Sequence, residues 1–132
     1  MRERPTQEFI DFAHAMIDAG VDIIHGSRAH IIQPIEVYNN KLIMYDTGDF
    51  VDDYRVDPVL RNDQALFYEV HMEKENDKTS IVKLNLTPLL ISNMQVNLAT
   101  GKDKQQITER IKNLSAEFGM RMTDNTIFIR EP

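Results

Sequence analysis

The first 26 residues combine a helical pattern with a short buried strand, and this order limits the fold more than any other feature. Apolar side chains recur at spacings of three and four residues as one predicted stripe, which consists of Phe9, Phe12, Ala13, Met16 and Ile17. Pro5 suits the first turn of this helix, and Gly20 suits its end. The β-branched run 21–25 follows directly and stops at Gly26. Helix, tight turn, buried strand and loop in this order are typical of α/β or α+β proteins.

Antiparallel β-structure is predicted for much of the remaining chain. The runs 35–38 and 41–45 flank Asn39 and Asn40, which tolerate the left-handed backbone of a two-residue hairpin turn. Three further strands are predicted at 65–73, 80–86 and 89–96, the last one after Pro88. These three strands should form an antiparallel meander, followed by two short runs around a turn at 124–125.

A second helix and a long loop complete the pattern. Thr100 is a candidate N-cap, and Gly119 closes a helix whose apolar positions are Ile107, Ile111, Leu114 and Phe118. Residues 47–63 are rich in Asp and predict a polar surface loop. No linker or repeat divides the sequence, so we expect one domain over residues 1–132.

Composition excludes several classes of function. The 132 residues include no cysteine, which excludes disulfides, thiolate metal sites and a cysteine nucleophile. The 15 basic and 21 acidic residues give a net charge of -6 without a long basic run, so no nucleic-acid partner is expected. No apolar run approaches the roughly 20 residues that span a bilayer. Residues 1–20 resemble an amphipathic helix rather than a signal peptide, so we expect a soluble chain.

The loop after the first strand contains the strongest candidates for chemistry. His25, Ser27, Arg28 and His30 lie within six positions beyond a buried strand, where ligands gather in open α/β sheets. Imidazole nitrogens can bind a metal, but they can equally bond to neighbouring backbone groups. His14 should lie on the exposed side of the first helix and His71 in a distant strand, so neither is an obvious third ligand.

An acidic cluster follows the hairpin. Asp46, Asp49, Asp52 and Asp53 offer oxygen ligands that suit hard cations, although their spacing is not that of an EF-hand loop. Aspartates in an exposed loop also serve as solvated turn formers. We keep Asp49 as a candidate ligand-binding residue because it follows a strand directly. Ser27 has no evident base partner, so nucleophilic catalysis is not predicted.

Several blocks of this sequence resemble one known family in order and spacing. They comprise residues 17–26, the histidine loop through His30, residues 33–38, residues 41–45 and Gly48-Asp49-Phe50. On these blocks the sequence resembles the C-terminal portion of the CapA-like capsule biosynthesis proteins, also called poly-gamma-glutamate biosynthesis proteins. A later Thr87-Pro88-Leu89 and a helix closing on Phe118-Gly119 extend the resemblance over nearly the whole chain.

The resemblance implies a fold and a metal centre. CapA-like proteins are similar to calcineurin-like metallophosphoesterases, which have two facing sheets flanked by helices and a two-metal centre that activates water. The resemblance places most metal ligands in an N-terminal half, and the Asp-x-His, Gly-Asp and Asn-His-Glu elements of that half are not part of this sequence, whose own Gly48-Asp49 belongs to the C-terminal blocks. His30 matches the second of two local histidines, whereas Ser27 or Arg28 stands at the first. We therefore expect no metal to be retained by this chain alone, and Mn, Zn or Fe to be held by a full-length parent.

Three functions from different classes stay open. The first is a C-terminal part of a CapA-like protein, not catalytic alone, that contributes His30, with His25 as a weaker candidate, to a site completed elsewhere. The second is a degenerate binding or assembly module in which Arg28 meets an anionic polymer or a phosphoester. The third is a small metal-dependent phosphoesterase, which lacks a complete ligand set here.

The resemblance also implies a partner and a location. A chain that has lost half of a sandwich leaves an unpaired sheet edge and an apolar face, here expected at 21–24 and 43–45. We therefore expect either a homo-oligomer or the missing N-terminal half as the partner. A full-length parent would belong to the bacterial cytoplasm or the cell envelope.

Overall fold

The computed structural model describes residues 2–50 and 55–129, and within these residues the chain is an α+β fold, as the sequence predicts. The elements in chain order are α1 (Gln7–Asp18), β1 (Ile23–His25), β2 (Ile35–Tyr38), β3 (Lys41–Met44), β4 (Gln64–Glu75), β5 (Lys78–Ser92), β6 (Gln95–Leu98), α2 (Gly101–Ala116) and β7 (Thr126–Phe128). Sheet A has the strand order β1-β3-β2, and sheet B has the order β4-β5-β6 with β7 also paired to β5.

Helix α1 begins later than the sequence predicts. Thr6 is the N-cap, and its hydroxyl accepts a hydrogen bond from the N–H of Phe9. Pro5 therefore precedes the helix and does not occupy its first turn. The helix ends at Asp18, and Gly20 follows with a φ of 113°, a left-handed value that favours glycine.

The apolar stripe of α1 is divided between two faces. Ala13 and Ile17 are buried against sheet A, as predicted. Phe9, Phe12 and Met16 are instead exposed, and the prediction of one buried stripe is wrong for them. The reason is geometric, because successive residues turn by 100° and these three side chains lie on a flank of the helix rather than beneath it.

The predicted hairpin is confirmed. Strands β2 and β3 pair antiparallel around Asn39 and Asn40, whose φ values are 50° and 61°. Strand β1 pairs with β3 in parallel, so β3 is the central strand of sheet A.

Sheet B is a meander with different boundaries from those predicted. Strand β5 continues through Pro88, which pairs with Leu66 of β4, and the next turn lies at 93–94. The prediction of a strand break at Pro88 is therefore wrong. Pro88 lies between the segments of β5 that pair with β7 and with β6, and its carbonyl accepts the N–H of Ala99 at 3.0 Å just beyond β6. A proline is tolerated there because it costs at most the one reciprocal hydrogen bond at the end of the β5–β6 ladder.

One apolar core joins both sheets and α2. It contains Leu42 and Met44 from sheet A, Leu84 from sheet B, and Ile107 and Ile111 from α2. The buried face of α2 is thus the predicted one, although its N-cap Thr100 makes no side-chain capping hydrogen bond. Phe118 lies beyond the end of the helix and is half-buried.

Part of the predicted 47–63 loop is fixed by one arginine of α2. Nη2 of Arg110 donates to the carbonyl of Leu60 at 2.6 Å, and Nη1 donates to the carbonyl of Arg61 at 3.2 Å and to Gln64 at 2.9 Å. Burial lowers the pKa of Arg110. Residues 55–63 are therefore held against α2, whereas Asp52 and Asp53 lie outside the described residues.

Side chains near the end of α2 close one edge of sheet A. The N–H of Ile35 in β2 donates to Oγ of the buried Ser115 at 3.0 Å, and the N–H of Val37 reaches Sδ of Met120 at 3.2 Å. These acceptors replace a neighbouring strand along β2. Ser115 therefore satisfies a buried backbone donor that would otherwise be unpaired.

We predict that Ser115→Ala lowers the free energy of unfolding by about 1–3 kcal/mol, because the buried N–H of Ile35 loses its acceptor. Urea denaturation measures this difference. The control is Ser92→Ala at an exposed position, which should change stability by no more than about 0.5 kcal/mol. Equal stability of the two variants would show that water or another group replaces the Ser115 hydroxyl.

Gly26 ends β1 because no side chain fits there. A Cβ on Gly26 would overlap the carbonyl oxygen of Tyr45, which is backbone and cannot rotate away. We predict that Gly26→Ala lowers the free energy of unfolding by about 2–3 kcal/mol or more. Ser27→Ala, an exposed change in the same loop, should cost no more than about 0.5 kcal/mol in the same urea titration. A Gly26→Ala variant as stable as the parent would contradict the close approach.

Candidate functional site

Two loops meet at one end of sheet A. Because β1 and β3 are parallel, the segments that follow them, 26–34 and 45–50, leave the sheet at the same edge. Backbone hydrogen bonds connect the two segments. The N–H of Gly26 donates to the carbonyl of Met44 at 2.8 Å, and the N–H of Gln33 donates to the backbone carbonyl of Asp46 at 3.0 Å. The position predicted for the site is therefore the position at which these loops converge.

A buried carboxylate fixes the shape of both loops. Asp46 is 2% exposed, and its Oδ2 accepts the N–H of Ala29 at 2.8 Å while Oδ1 accepts the N–H of Gly48 at 2.9 Å. The sequence placed Asp46 in an acidic cluster of solvated or cation-binding residues, and that reading is wrong for this residue. Its position two residues beyond the buried strand β3, at the start of the loop, is the signal that could have identified it.

His30 and Asp49, one from each loop, come together as a pair. Nδ1 of His30 lies 3.0 Å from Oδ1 of Asp49, and the two side chains are 37% and 14% exposed. His30 has a φ of 63°, a left-handed value that is uncommon for a residue with a side chain. The pairing supports the choice of both residues as candidates, since a carboxylate can orient an imidazole for ligation.

His25 is exposed and faces a different partner. Its Nε2 lies 2.9 Å from Oγ1 of Thr47. His25, Thr47 and Asp49 line one side of a cavity of about 470 Å³, and β4 provides the other side. Tyr68 of β4 lines this cavity as well. Its hydroxyl is buried without a hydrogen bond from any described residue, and burial raises its pKa.

Ser27 and Arg28 line a second cavity, separate from the one that His25 and Asp49 line. This cavity of about 430 Å³ lies between the loop and α1, with Phe9 and Phe12 in its wall and Arg2 also lining it. Both Ser27 and Arg28 are exposed, and Arg28 has a φ of 88°. The structure therefore separates the predicted residues into two groups, one around His30 and Asp49 and one around Arg28.

The other two histidines are held elsewhere. Nε2 of His14 lies 2.8 Å from Oε1 of Glu36, and the imidazole stacks on Tyr38 with ring centroids 4.0 Å apart. His14 is therefore half-buried, and the prediction that it faces solvent is wrong. Its partner on β2 could not be identified from the helix pattern alone. His71 accepts a hydrogen bond from Asn85 at 3.0 Å within sheet B.

Sequence reasoning missed a polar cluster on the α1 side of sheet A. Glu36 accepts a hydrogen bond at 2.6 Å from the hydroxyl of Tyr45 in addition to its contact with His14. Burial and the neighbouring Glu36 carboxylate raise the pKa of Tyr45. This cluster ties α1 to the hairpin and leaves the Tyr45 hydroxyl protonated at neutral pH.

The described residues do not by themselves form a metal centre. Within residues 2–50 and 55–129, no group of three or more His, Asp or Glu side chains is arranged to hold an ion. His30 offers an imidazole nitrogen of the kind that Zn, Mn and Fe accept, and Asp49 contacts the other ring nitrogen. One such donor leaves most positions of a four-coordinate ion unfilled.

A membrane-spanning helix is also absent from the part of the chain that the structure describes, because neither α1 nor α2 is long and apolar enough to cross a bilayer.

Comparison with known proteins identifies relatives. Residues 1–54 match the family model described as bacterial capsule synthesis protein PGA_cap. The chain is 34% identical over 116 residues to a Mycobacterium tuberculosis protein named "Probable polyglutamine synthesis accessory protein", and the match covers 86% of this chain. It is 49% identical over 49 residues to the PGA biosynthesis protein CapA of Bacillus subtilis, a match that covers 37% of this chain. The capsule biosynthesis protein CapA of Bacillus anthracis is 47% identical over 49 residues, again 37% of this chain.

The chain spans a minor part of these relatives. The matched segment is 30% of the length of the M. tuberculosis protein, 13% of B. subtilis CapA and 11% of B. anthracis CapA. The family model includes α1, β1, both loops of the site and the pair His30 and Asp49. These matches confirm the resemblance seen in the sequence, and the chain belongs to the CapA-like family of bacterial capsule and poly-gamma-glutamate biosynthesis proteins.

Proposed function

We propose that this chain serves the synthesis of a bacterial capsule polymer of the poly-gamma-glutamate type as the C-terminal part of a CapA-like protein, and that it catalyses no reaction alone. The observation that carries the proposal is the pair His30 and Asp49 at the ends of two parallel strands, within the segment that matches the family model. The pair supplies one oriented imidazole, which is fewer protein donors than a metal site needs.

Both sheets belong to a larger metallophosphoesterase-like sandwich in this proposal. The support is that sheet A and sheet B share one core while helices lie against them. The proposed partner that completes this sandwich is an N-terminal half, and the bacterial cytoplasm or the cell envelope is the proposed location of the parent. A homo-oligomer stays a prediction. Ile43 and Tyr45 belong to the apolar face that was expected to pair two copies of the chain, but both side chains are buried beneath α1.

The proposed role of His30 is to contribute one ligand to a metal that a full-length parent holds. Asp49 contacts Nδ1 and would fix the ring orientation, so that Nε2 is the ligating atom. A divalent Mn, Zn or Fe would supply Lewis acidity at such a site. His25 contacts Thr47 and is the weaker candidate.

We predict that the purified chain retains far less than one Zn or Mn ion per molecule after dialysis against a mild chelator. The physical reason is that His30, with His25 as the weaker candidate, leaves at least half of the positions of a four-coordinate ion to water. Elemental analysis by mass spectrometry measures the ratio, with His30→Ala as the matched control that should give the same low value. Hydrolysis of an aryl phosphate ester is assayed on the same samples.

Stoichiometric metal that is lost in His30→Ala, together with metal-dependent hydrolysis, would overturn the proposal. That result would favour the small metal-dependent phosphoesterase. Metal retained equally by both proteins would instead indicate ligands other than His30.

A second candidate function is an anion-binding module, and the observation that favours it is the placement of Arg28. Arg28 is exposed and lines the cavity of about 430 Å³ together with Ser27 and Arg2. Guanidinium groups bind carboxylates and phosphates through paired hydrogen bonds. An anionic polymer such as poly-gamma-glutamate, or a phosphoester, is the ligand class that this arrangement fits.

We predict that Arg28→Gln weakens the binding of poly-gamma-glutamate several-fold at low salt, because one charge-assisted contact is lost. Fluorescence anisotropy with a labelled oligomer measures the dissociation constant. Arg121→Gln removes an exposed arginine that does not line this cavity, and this control should leave binding unchanged. Equal weakening by both substitutions would mean that the polymer responds to total charge, and the specific role of Arg28 would be refuted.

A further inference from the structure

One flank of α1 carries an exposed apolar stripe, which we call the α1 stripe. It consists of Phe9, Phe12 and Met16, which are 62%, 63% and 36% exposed. Their spacing of three and four residues aligns them along the helix. Monomeric proteins seldom expose two phenylalanines side by side on one helix without a partner.

The α1 stripe lies on the β1 side of the helix. The opposite flank of α1 carries His14 and Asp18, which contact Glu36 and Tyr38 of β2. Phe9 and Phe12 line the cavity of about 430 Å³ together with Ile24 of β1. The apolar surface therefore continues from the helix down to the first strand of sheet A.

The outer edge of β1 is open. Gly26 N–H donates to Met44, and Leu42 N–H donates to the carbonyl of Asp22, so alternate residues of this strand face β3. The backbone groups of Ile23 and His25 therefore point to the other side, where no described strand pairs with them. The far edge of the same sheet, at β2, is closed by Ser115 and Met120.

The spacing of helices and strands indicates what fits this surface. Helix α1 packs over Ile24 of β1 and Ile43 of β3. Neighbouring helices lie about 8–10 Å apart, and neighbouring strands lie about 4.8 Å apart. The axis of a helix packed against the α1 stripe would therefore lie about two strand widths from the axis of α1, on the β1 side. That helix would lie over a strand added beside β1.

We propose that the α1 stripe and the open edge of β1 together bind one strand-helix unit, in which the strand pairs with β1 and an amphipathic helix covers Phe9, Phe12 and Met16. This deepens the proposed function, on which it rests, by naming the surface through which the remainder of a CapA-like protein attaches. The M. tuberculosis relative contains the polypeptide for such a unit, because the match spans only 30% of its length.

Charge distinguishes this occupant from a second copy of the chain. Helix α1 carries Glu8, Asp11 and Asp18 and no Lys or Arg, so two copies paired through it would bring acidic groups together. Arg2 lies at the cavity beside Phe9, and its main chain is held by Gln33, which donates to its carbonyl at 2.8 Å. A docked helix with an acidic residue near Arg2 would be complementary to this surface.

The test uses the complete chain and, as probe, the remainder of the M. tuberculosis protein outside the matched residues, produced as a separate polypeptide. Titration calorimetry should show a one-to-one complex. Phe12→Ser should weaken it by about tenfold or more, because an exposed aromatic anchor is lost. Leu98→Ser removes a side chain that is 71% exposed on β6 and should change the dissociation constant less than twofold. If the Phe12→Ser variant does not fold, Met16→Ser replaces it in the same titration.

Hydrogen exchange provides the second readout. The amides of Ile23 and His25 should become protected in the complex, since their N–H groups face the added strand. The absence of a complex, or a complex that is insensitive to Phe12→Ser, would refute the proposal. So would concentration-dependent dimerisation of the chain that Phe12→Ser abolishes. Metal retention and hydrolysis by the chain alone test the proposed function separately, because they do not depend on this complex.

Discussion

The unequal edges of sheet A determine how the rest of the molecule is arranged. At β2, the N–H groups of Ile35 and Val37 are satisfied by Ser115 and Met120, so α2 is anchored and this edge cannot accept another strand. At β1, the outward backbone groups have no described strand beside them. A further strand can therefore be added to sheet A beside β1 but not beside β2. The same asymmetry explains why one flank of α1 is occupied by contacts to β2 while the other flank exposes its phenylalanines.

Asp46 provides the second constraint, because one buried carboxylate sets the shape of both loops. Its two oxygens accept N–H groups from Ala29 and Gly48, one in each loop, and this holds His30 within reach of Asp49. These two hydrogen bonds offset part of the free-energy cost of burying the Asp46 side chain. The aspartates that lie close together in the sequence therefore have different roles. Asp46 fixes the loop backbone, whereas Asp49 contacts His30 in the candidate site.

Local patterns predicted those elements whose partners are close in sequence. The hairpin at Asn39 and the buried face of α2 follow from turn chemistry and helical spacing, and both are confirmed. The α1 stripe and Pro88 were misread because their environment depends on distant segments. Whether a helix flank is covered depends on how many strands lie beneath it. The proline is accepted in β5 because Pro88 lies between the residues that pair with β7 and those that pair with β6. The pairing of His30 with Asp49 was not predicted, because each residue was chosen separately from its position after a strand.

The incomplete site and the open edge have one geometric cause. The loops that carry His30 and Asp49 leave sheet A at the carboxyl ends of β1 and β3, and parallel strands bring their following loops to the same edge. A strand added beside β1 in the same direction would end next to the loop 26–34, so its own following loop would face the His30 and Asp49 pair. In the proposed complex, the added strand and the further donors beside His30 would therefore come from the same piece of polypeptide. A polypeptide that covers the α1 stripe would for this reason also place its own side chains next to the His30 and Asp49 pair.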